Sequence, residues 1–177
     1  LAWAVHRPDN ISALVPLAAP SHPWDTGLST YYRVLSHPVL GPLVIPIITA
    51  FVPDARVERE VAGVFEPDPV PEGYQAHFGP GLTLRRDSLR ANALQRANLL
   101  GEIEALVPRY GEITVPTEIL HGDTDITVGL SIHSRPLVAA IPQARLTVLE
   151  GAGHMIQHSR EDAIVAAIER AAAARAD

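Results

Sequence analysis

A short apolar run near the end of the chain stops at glycines and a histidine. Residues 146–149 read Leu-Thr-Val-Leu, and after one glutamate the sequence continues Gly-Ala-Gly-His, ending at His154. An apolar, partly β-branched run of this length that ends at glycine is typical of a buried strand. Glycine lets the backbone turn sharply and approach neighbouring groups closely. The pattern therefore predicts a strand that presents an imidazole at its carboxyl end.

A second apolar run, residues 117–120, is followed by a glycine and two carboxylates. Gly122 precedes both Asp123 and Asp125. A neutral imidazole can take a proton from a hydroxyl at physiological pH, and a buried carboxylate can fix the tautomer of that imidazole. We interpret His154 as a general base and Asp125 as the acid that orients it, whereas Asp123 is expected to hydrogen-bond to the turn. A surface turn and a loop histidine that caps the final helix are the simpler alternatives.

Helical and strand patterns alternate around these two loops. The predicted elements are a helix that ends near residue 7, strands at residues 11–17, 117–120 and 145–149, and helices at residues 130–141 and from Ser159, as N-cap, onward. Such alternation predicts an α/β fold with a parallel sheet, whose sites lie at the carboxyl ends of the strands. Residues 1–20 and 112–177 are assigned to this core.

Residues 21–111 differ in character and are predicted to form a helical cap inserted between two strands of the sheet. Most of the sixteen prolines fall here, and no strand pattern stands out. The predicted elements are helices at residues 31–37, 39–52 (broken by its prolines) and 84–106, with a rigid proline-rich connector at 67–73. Five aromatic residues could line a substrate cavity, or could equally pack the interior of the cap: Trp24, Tyr31, Tyr32, Phe51 and Phe65.

Composition excludes several classes of protein. The chain has 177 residues, 47% of them apolar, and a net charge of −6 without a basic cluster, which argues against nucleic acid as a partner. It has no cysteine, so disulfides and thiolate metal sites are impossible. His158 follows His154 by four residues without an acidic cluster, and no metal site is predicted. No apolar segment is long enough to cross a membrane and no signal peptide opens the chain, so we expect a cytoplasmic protein.

The two loop segments resemble those of the α/β-hydrolase superfamily. Residues 116–125, which end Gly-Asp-Thr-Asp, are similar to the strand-seven segment of these enzymes, in which the catalytic acid comes last. Residues 151–154 are similar to their catalytic histidine loop, and the order of acid before histidine is also that of the family. The insertion corresponds to the cap over the active site. The resemblance implies that the chain is the C-terminal part of this fold, from strand six onward.

The family's nucleophile elbow, G-x-S-x-G, does not occur in the chain. The resemblance implies that the nucleophile lies on the order of ten residues before Leu1, in an N-terminal portion that also supplies the oxyanion hole. Without that portion the strand at residues 11–17 would have an unpaired edge, so we expect the isolated polypeptide not to fold cooperatively. None of the eight serines is expected on a strand-to-helix elbow: Ser12, Ser21, Ser29, Ser36, Ser88, Ser131, Ser134 and Ser159.

The resemblance implies a cofactor-free hydrolase that acts on a small, apolar carboxylic ester or related acyl compound through a Ser-His-Asp triad. A haloalkane dehalogenase or epoxide hydrolase with an upstream Asp nucleophile is an alternative. In the epoxide case, Tyr31 or Tyr32 could polarise the ring oxygen. A hydrolase-like protein that binds a small ligand without catalysis is a third possibility. The residue at the elbow discriminates among them, because acyl transfer requires Ser and halide or epoxide chemistry requires Asp.

Overall fold

Two parallel strands form the centre of the first of two compact units. The computed structural model describes residues 1–174, apart from the side chain of Pro80. The first unit comprises Leu1–Pro23, Val64–Pro69 and the chain from Ile103 onward. Strand β1 (Glu118–Gly122) pairs in parallel with β2 (Arg145–Leu149), and the register ends with Gly122 opposite Leu149. The predicted strand at residues 145–149 is confirmed, and β1 begins one residue later than predicted and ends two later.

A third extended segment, residues 14–18, lies parallel to the other edge of β1. Backbone hydrogen bonds join Leu14 to Pro116 and Glu118, and Leu120 bonds to Pro16 and Ala18. The segment nevertheless makes isolated bridges rather than a continuous strand, so the predicted strand at residues 11–17 is only partly correct. The reason is Pro16, which has no N–H to donate to the ladder.

The helices of residues 1–174 are, in chain order, α1 (Ala2–His6), α2 (Thr30–Ser36), α3 (Leu40–Phe51), α4 (Asp54–Phe65), α5 (Tyr74–Phe78), α6 (Pro80–Thr83), α7 (Arg86–Leu106), α8 (Ser134–Ala140), α9 (Ile156–Ser159) and α10 (Glu161–Ala173). Short 3₁₀ helices cover Pro8–Asn10 and Val107–Glu112. The prediction of Ser159 as the N-cap of the last helix is wrong. Ser159 ends α9, and the N-cap of α10 is Arg160.

The first unit is held together by apolar packing on both sides of β1. One cluster joins α1 and α8 to the strand, and the other joins α9 and α10 to it. The buried members of these clusters include Val5, Ile119, Leu137 and Ile141 in the first and Leu120, Ile156, Ile164 and Ala167 in the second. Burying such side chains stabilises a fold by roughly 1.5–3 kcal/mol each. Arg170 of α10 also donates two hydrogen bonds to the Glu118 carboxylate at the start of β1.

The second unit is helical and comprises Trp24–Gly63 and Val70–Glu102. Its buried cluster contains Leu35, Ile45, Leu89 and Ala93. Helix α3 is continuous, contrary to the prediction that its prolines break it. Pro42 lies in the first turn, where the N–H groups have no intrahelical partner anyway, and Pro46 is accommodated within the helix. Helix α4 was not predicted.

The boundary between the units is less simple than the predicted insertion at residues 21–111. Residues 21–23, 64–69 and 103–111 belong to the first unit. The 64–69 segment belongs to the first unit because Phe65 is buried there and Asp68 is bonded to groups of that unit.

Within residues 1–174 no single helix is long and apolar enough to cross a membrane, although α2 and α3, with a 113° bend between them, satisfy the length and composition criteria together.

Candidate active site

Asp125 lies in the turn that follows β1 and its side chain is fully buried. Its Oδ1 atom accepts hydrogen bonds from the backbone N–H groups of Thr127 and Val128, both at 2.8 Å. Asp side chains that bond to the backbone two and three residues ahead are typical of tight turns. The turn thereby fixes Oδ1 and leaves Oδ2 available to accept hydrogen bonds from other groups.

His154 lies in the loop after β2, and its Nδ1 atom is 2.8 Å from the Oδ2 atom of Asp125. The two loops meet because their strands are parallel neighbours and end at the same edge of the sheet. An ionised carboxylate can only accept, so Nδ1 carries the proton and Nε2 is left with a free electron pair. The His154 side chain remains 24% exposed while its carboxylate partner is buried. This is the arrangement of a general base oriented by an acid.

The Asp125 carboxylate is ionised despite its burial. Burial alone would raise the pKa of Asp125, but hydrogen bonds from His121, His154 and the Val128 N–H outweigh it and hold the pKa well below its usual value. The carboxylate therefore stays negative at neutral pH. It can stabilise an imidazolium at His154 without taking up the proton itself.

Tight backbone contacts hold the histidine loop against the acid loop. A side chain on Gly122 would overlap the carbonyl oxygens of Ala152 and Gly153, so only glycine fits there. Thr124 donates its hydroxyl to the Ala152 carbonyl at 2.7 Å. Asp123 accepts the Gly151 N–H at 2.7 Å, so it bonds across to the histidine loop rather than to its own turn as predicted.

Asp68 holds the other side of the histidine loop. Its carboxylate accepts the Gly153 N–H at 3.0 Å and pairs with the Arg160 guanidinium at 3.0 Å. Burial opposes ionisation of Asp68, but the hydrogen bonds from Gly153 and Arg160 prevail and lower its pKa. A side chain on Gly153 would also overlap the Glu66 carbonyl. No sequence pattern indicates Asp68, because its partners lie 85 and 92 residues further along the chain.

A buried histidine network lies in the same unit. The Nδ1 atom of His133 accepts the backbone N–H groups of Ser21 and His22, each at 3.2 Å, and the Ser21 hydroxyl donates to the His133 carbonyl at 2.9 Å. Tyr110 donates its hydroxyl to the Ser21 carbonyl at 2.7 Å, and burial raises the pKa of Tyr110 to about 12. The sequence contains no spacing signal for this network.

This network predicts a loss of stability on mild acidification. Burial lowers the pKa of His133, and the neighbouring imidazoles of His121 and His22 lower it further, although Asp125 opposes them. In the unfolded chain, a histidine binds a proton when the pH falls below its ordinary pKa of 6.5. In the folded protein, His133 stays neutral to a lower pH because its pKa is lowered. The unfolded state then binds more protons, so the free energy of unfolding decreases as pH falls below 6.5.

The His133→Asn variant of the complete protein tests this expectation. The amide oxygen of Asn can accept the same two N–H groups without titrating. Urea unfolding at pH 7.5 and pH 5.5 should show a smaller loss of unfolding free energy for the variant than for the parent. Some dependence remains, because burial also lowers the pKa of His22. Equal losses in both proteins would contradict the assignment.

The five aromatic candidates are distributed between the two units. Tyr31 and Tyr32 contact each other edge to face at 5.1 Å in the second unit, where the Arg96 guanidinium lies 4.9 Å from the Trp24 ring. Phe51, in the same unit, is 81% exposed. Phe65 is instead buried in the first unit with its ring 5.7 Å from that of His158, which favours packing for this residue. A substrate-binding role for any of the five stays a prediction.

Comparison of the sequence with models of known protein families and with curated proteins finds no match. Comparison of the structure does find relatives. An α/β-hydrolase fold protein from Burkholderia ambifaria superposes with a TM-score of 0.64 at 21% identity over 94% of this chain and 60% of that one. For 2-hydroxy-6-oxo-6-phenylhexa-2,4-dienoate hydrolase from Rhodococcus sp. strain RHA1, the TM-score is 0.68 at 18% identity, over 96% and 58%. For a thermophilic esterase from Thermogutta terrifontis it is 0.59 at 17% identity, over 98% and 60%.

These likenesses define the class of fold. The chain has the α/β-hydrolase fold, in the form of a partial sheet with a helical insertion. It spans about three fifths of the length of the proteins it matches, between 58% and 60% for the three named above.

Proposed function

We propose that this chain is the acid- and base-bearing part of a cofactor-free hydrolase that acts on a small, apolar carboxylic ester or related acyl compound. The observation that carries the proposal is the 2.8 Å contact between His154 Nδ1 and a buried, ionised Asp125. A partly exposed imidazole with a free Nε2 atom is suited to move a proton between a hydroxyl and a leaving group. The solved hydrolases of the same fold support the proposal at the level of the reaction class.

The proposed reaction proceeds in two acyl transfers. His154 Nε2 takes the proton of a serine hydroxyl as its oxygen attacks the ester carbonyl, and then returns that proton to the departing alcohol oxygen. Water repeats the sequence on the acyl-enzyme, giving the carboxylic acid and the free serine. Asp125 stays ionised throughout and stabilises the imidazolium that forms at each attack. Its low pKa supports this role.

The nucleophile in this proposal belongs to a part of the protein outside these 177 residues. Two serines, Ser21 and Ser134, are fully buried and bond to histidines other than His154. The Ser21 hydroxyl contacts the His133 carbonyl and the His22 ring, and the Ser134 hydroxyl contacts the His121 ring. Neither could reach a substrate from a fully buried position. The absence of a G-x-S-x-G sequence supports the same assignment.

Labelling of the complete protein by a fluorophosphonate tests the proposal. This reagent forms a stable adduct with an activated serine, and mass spectrometry of the digested protein would locate it. We expect one labelled serine outside the 177 residues, together with hydrolysis of p-nitrophenyl butyrate. Both should be lost when the histidine base is replaced, and a surface-exposed serine such as Ser88 should remain unlabelled.

Other outcomes would point to the alternatives. Incorporation of ¹⁸O from labelled water into an aspartate side chain, without serine labelling, would indicate an Asp nucleophile and overturn the esterase proposal. A folded protein with neither adduct nor turnover would indicate a binding protein.

A further inference from the structure

His121 lies at the carboxyl end of β1 with a completely buried side chain. Its Nε2 atom is 2.7 Å from the Val128 carbonyl oxygen and 3.2 Å from Asp125 Oδ2. Its Nδ1 atom is 2.6 Å from the Ser134 hydroxyl. Both ring nitrogens are therefore engaged, and one of them reaches the same carboxylate oxygen that His154 contacts.

The chemistry of these partners fixes the proton on Nε2. The Val128 carbonyl and the Asp125 carboxylate can only accept hydrogen bonds, so Nε2 must be the donor. In a neutral ring with its one proton on Nε2, Nδ1 is an acceptor, and the Ser134 hydroxyl can donate to it. The neutral imidazole is thus fully satisfied, with its N–H directed at the acid loop.

Val128 closes a ring of contacts around the acid. Its N–H donates to Asp125 Oδ1 at 2.8 Å, while its carbonyl accepts from His121 at 2.7 Å. The Asp125 carboxylate is consequently held at both oxygens by groups other than His154: at Oδ1 by the backbone and at Oδ2 by the His121 imidazole. A carboxylate held at both oxygens cannot rotate about its Cβ–Cγ bond without losing several hydrogen bonds at once.

We propose that His121 is a positioning residue for the catalytic acid: its Nε2–H holds Asp125 Oδ2 in the orientation that His154 requires, a role that rests on the proposed function. The simpler view is that His121 fills space in the core. The two views differ in what they expect of the Nε2 donor alone, because a space-filling residue has no need of a donor at that atom.

Two substitutions in the complete protein separate these views. The amide nitrogen of Gln can occupy the place of Nε2, and the amide oxygen of Asn can occupy the place of Nδ1. The His121→Gln variant therefore keeps a donor toward Val128 and Asp125, whereas His121→Asn keeps only a partner for Ser134. Both replacements are polar and smaller than or similar to imidazole, which makes them a matched pair.

We expect His121→Gln to keep kcat within about threefold of the parent, and His121→Asn to lower kcat on the order of 10- to 100-fold, by analogy with the loss of a partner that orients a metal-binding histidine. KM should not change in either, because His121 is buried away from solvent. The proton on His154 Nδ1 should give a downfield NMR resonance, assigned by its loss in a His154 variant. That resonance should persist in His121→Gln and weaken or vanish in His121→Asn.

The NMR measurement decides the proposal even if the protein is not an esterase. Absence of turnover in the parent would refute the proposed function, while the difference in the His154 resonance between the variants would still support the positioning role. Equal effects of both substitutions would overturn it. If His121→Asn fails to fold, loss of the resonance in a His121→Gln variant with a normal melting temperature would overturn it as well.

Discussion

The His154→Ala variant of the complete protein should lose ester hydrolysis by a factor on the order of 10⁶ in kcat, the size of the effect when a triad histidine is removed from a serine hydrolase. Without the imidazole no group is positioned to take the nucleophile's proton or to protonate the leaving group. The expected measurement is the initial rate of p-nitrophenyl butyrate hydrolysis by equal amounts of folded protein.

The fold should survive this substitution. His154 is partly exposed, and the carboxylate it leaves behind keeps its contacts with Thr127, Val128 and His121. The melting temperature should therefore change little. His158→Ala serves as the matched control, because this exposed histidine lies four residues further along and packs beside Phe65. Retention of turnover in His154→Ala, or a comparable loss in His158→Ala, would remove His154 from the mechanism.

The main features of the fold could be predicted because they depend on local patterns. The run at residues 145–149 alternates little and is bounded by turn residues, and it forms β2 with those bounds. Sequence patterns predict the element wrongly where a proline lies within an otherwise apolar run. Pro16 interrupts an otherwise apolar run and reduces it to isolated bridges, whereas Pro42 and Pro46 sit in α3 without ending it.

The pairing of Asp125 with His154 could be predicted, but the contacts that support it could not. Asp125 and His154 each follow a strand and a glycine, which is a local signal. Asp68, in contrast, reaches Gly153 from 85 residues away, so only the folded chain brings them together. His121 lies only four residues before Asp125 in the sequence. The proposed role of His121 depends on which groups its ring nitrogens bond to, and the sequence does not specify those groups.

The Asp125→Asn variant is expected to lower kcat by about 10⁴-fold, as it does when the acid of a triad is replaced by its amide. The amide oxygen would keep accepting the N–H groups of Thr127 and Val128, since those bonds fix one side of the group. The NH₂ group would then take the place of Oδ2. A donor at that position forces His154 to accept at Nδ1 and to carry its proton on Nε2, where it can no longer act as a base.

The same substitution should destabilise the protein, because the new NH₂ group also faces the Nε2–H of His121, 3.2 Å from the atom it replaces. One N–H of the new amide then faces another donor and has no acceptor in this buried site. The unsatisfied N–H should lower the unfolding free energy by about 1–3 kcal/mol. Asp123→Asn is the matched control. It makes the same change from carboxylate to amide two residues earlier in the chain. Asp123 is exposed, and the amide oxygen of the variant can still accept the Gly151 N–H. Urea unfolding and kcat should both be near those of the parent in this control. If Asp125→Asn instead kept the parent's kcat, His154 would have to be oriented by some group other than this carboxylate. The contact between His154 and Asp125 would then no longer support the proposed function.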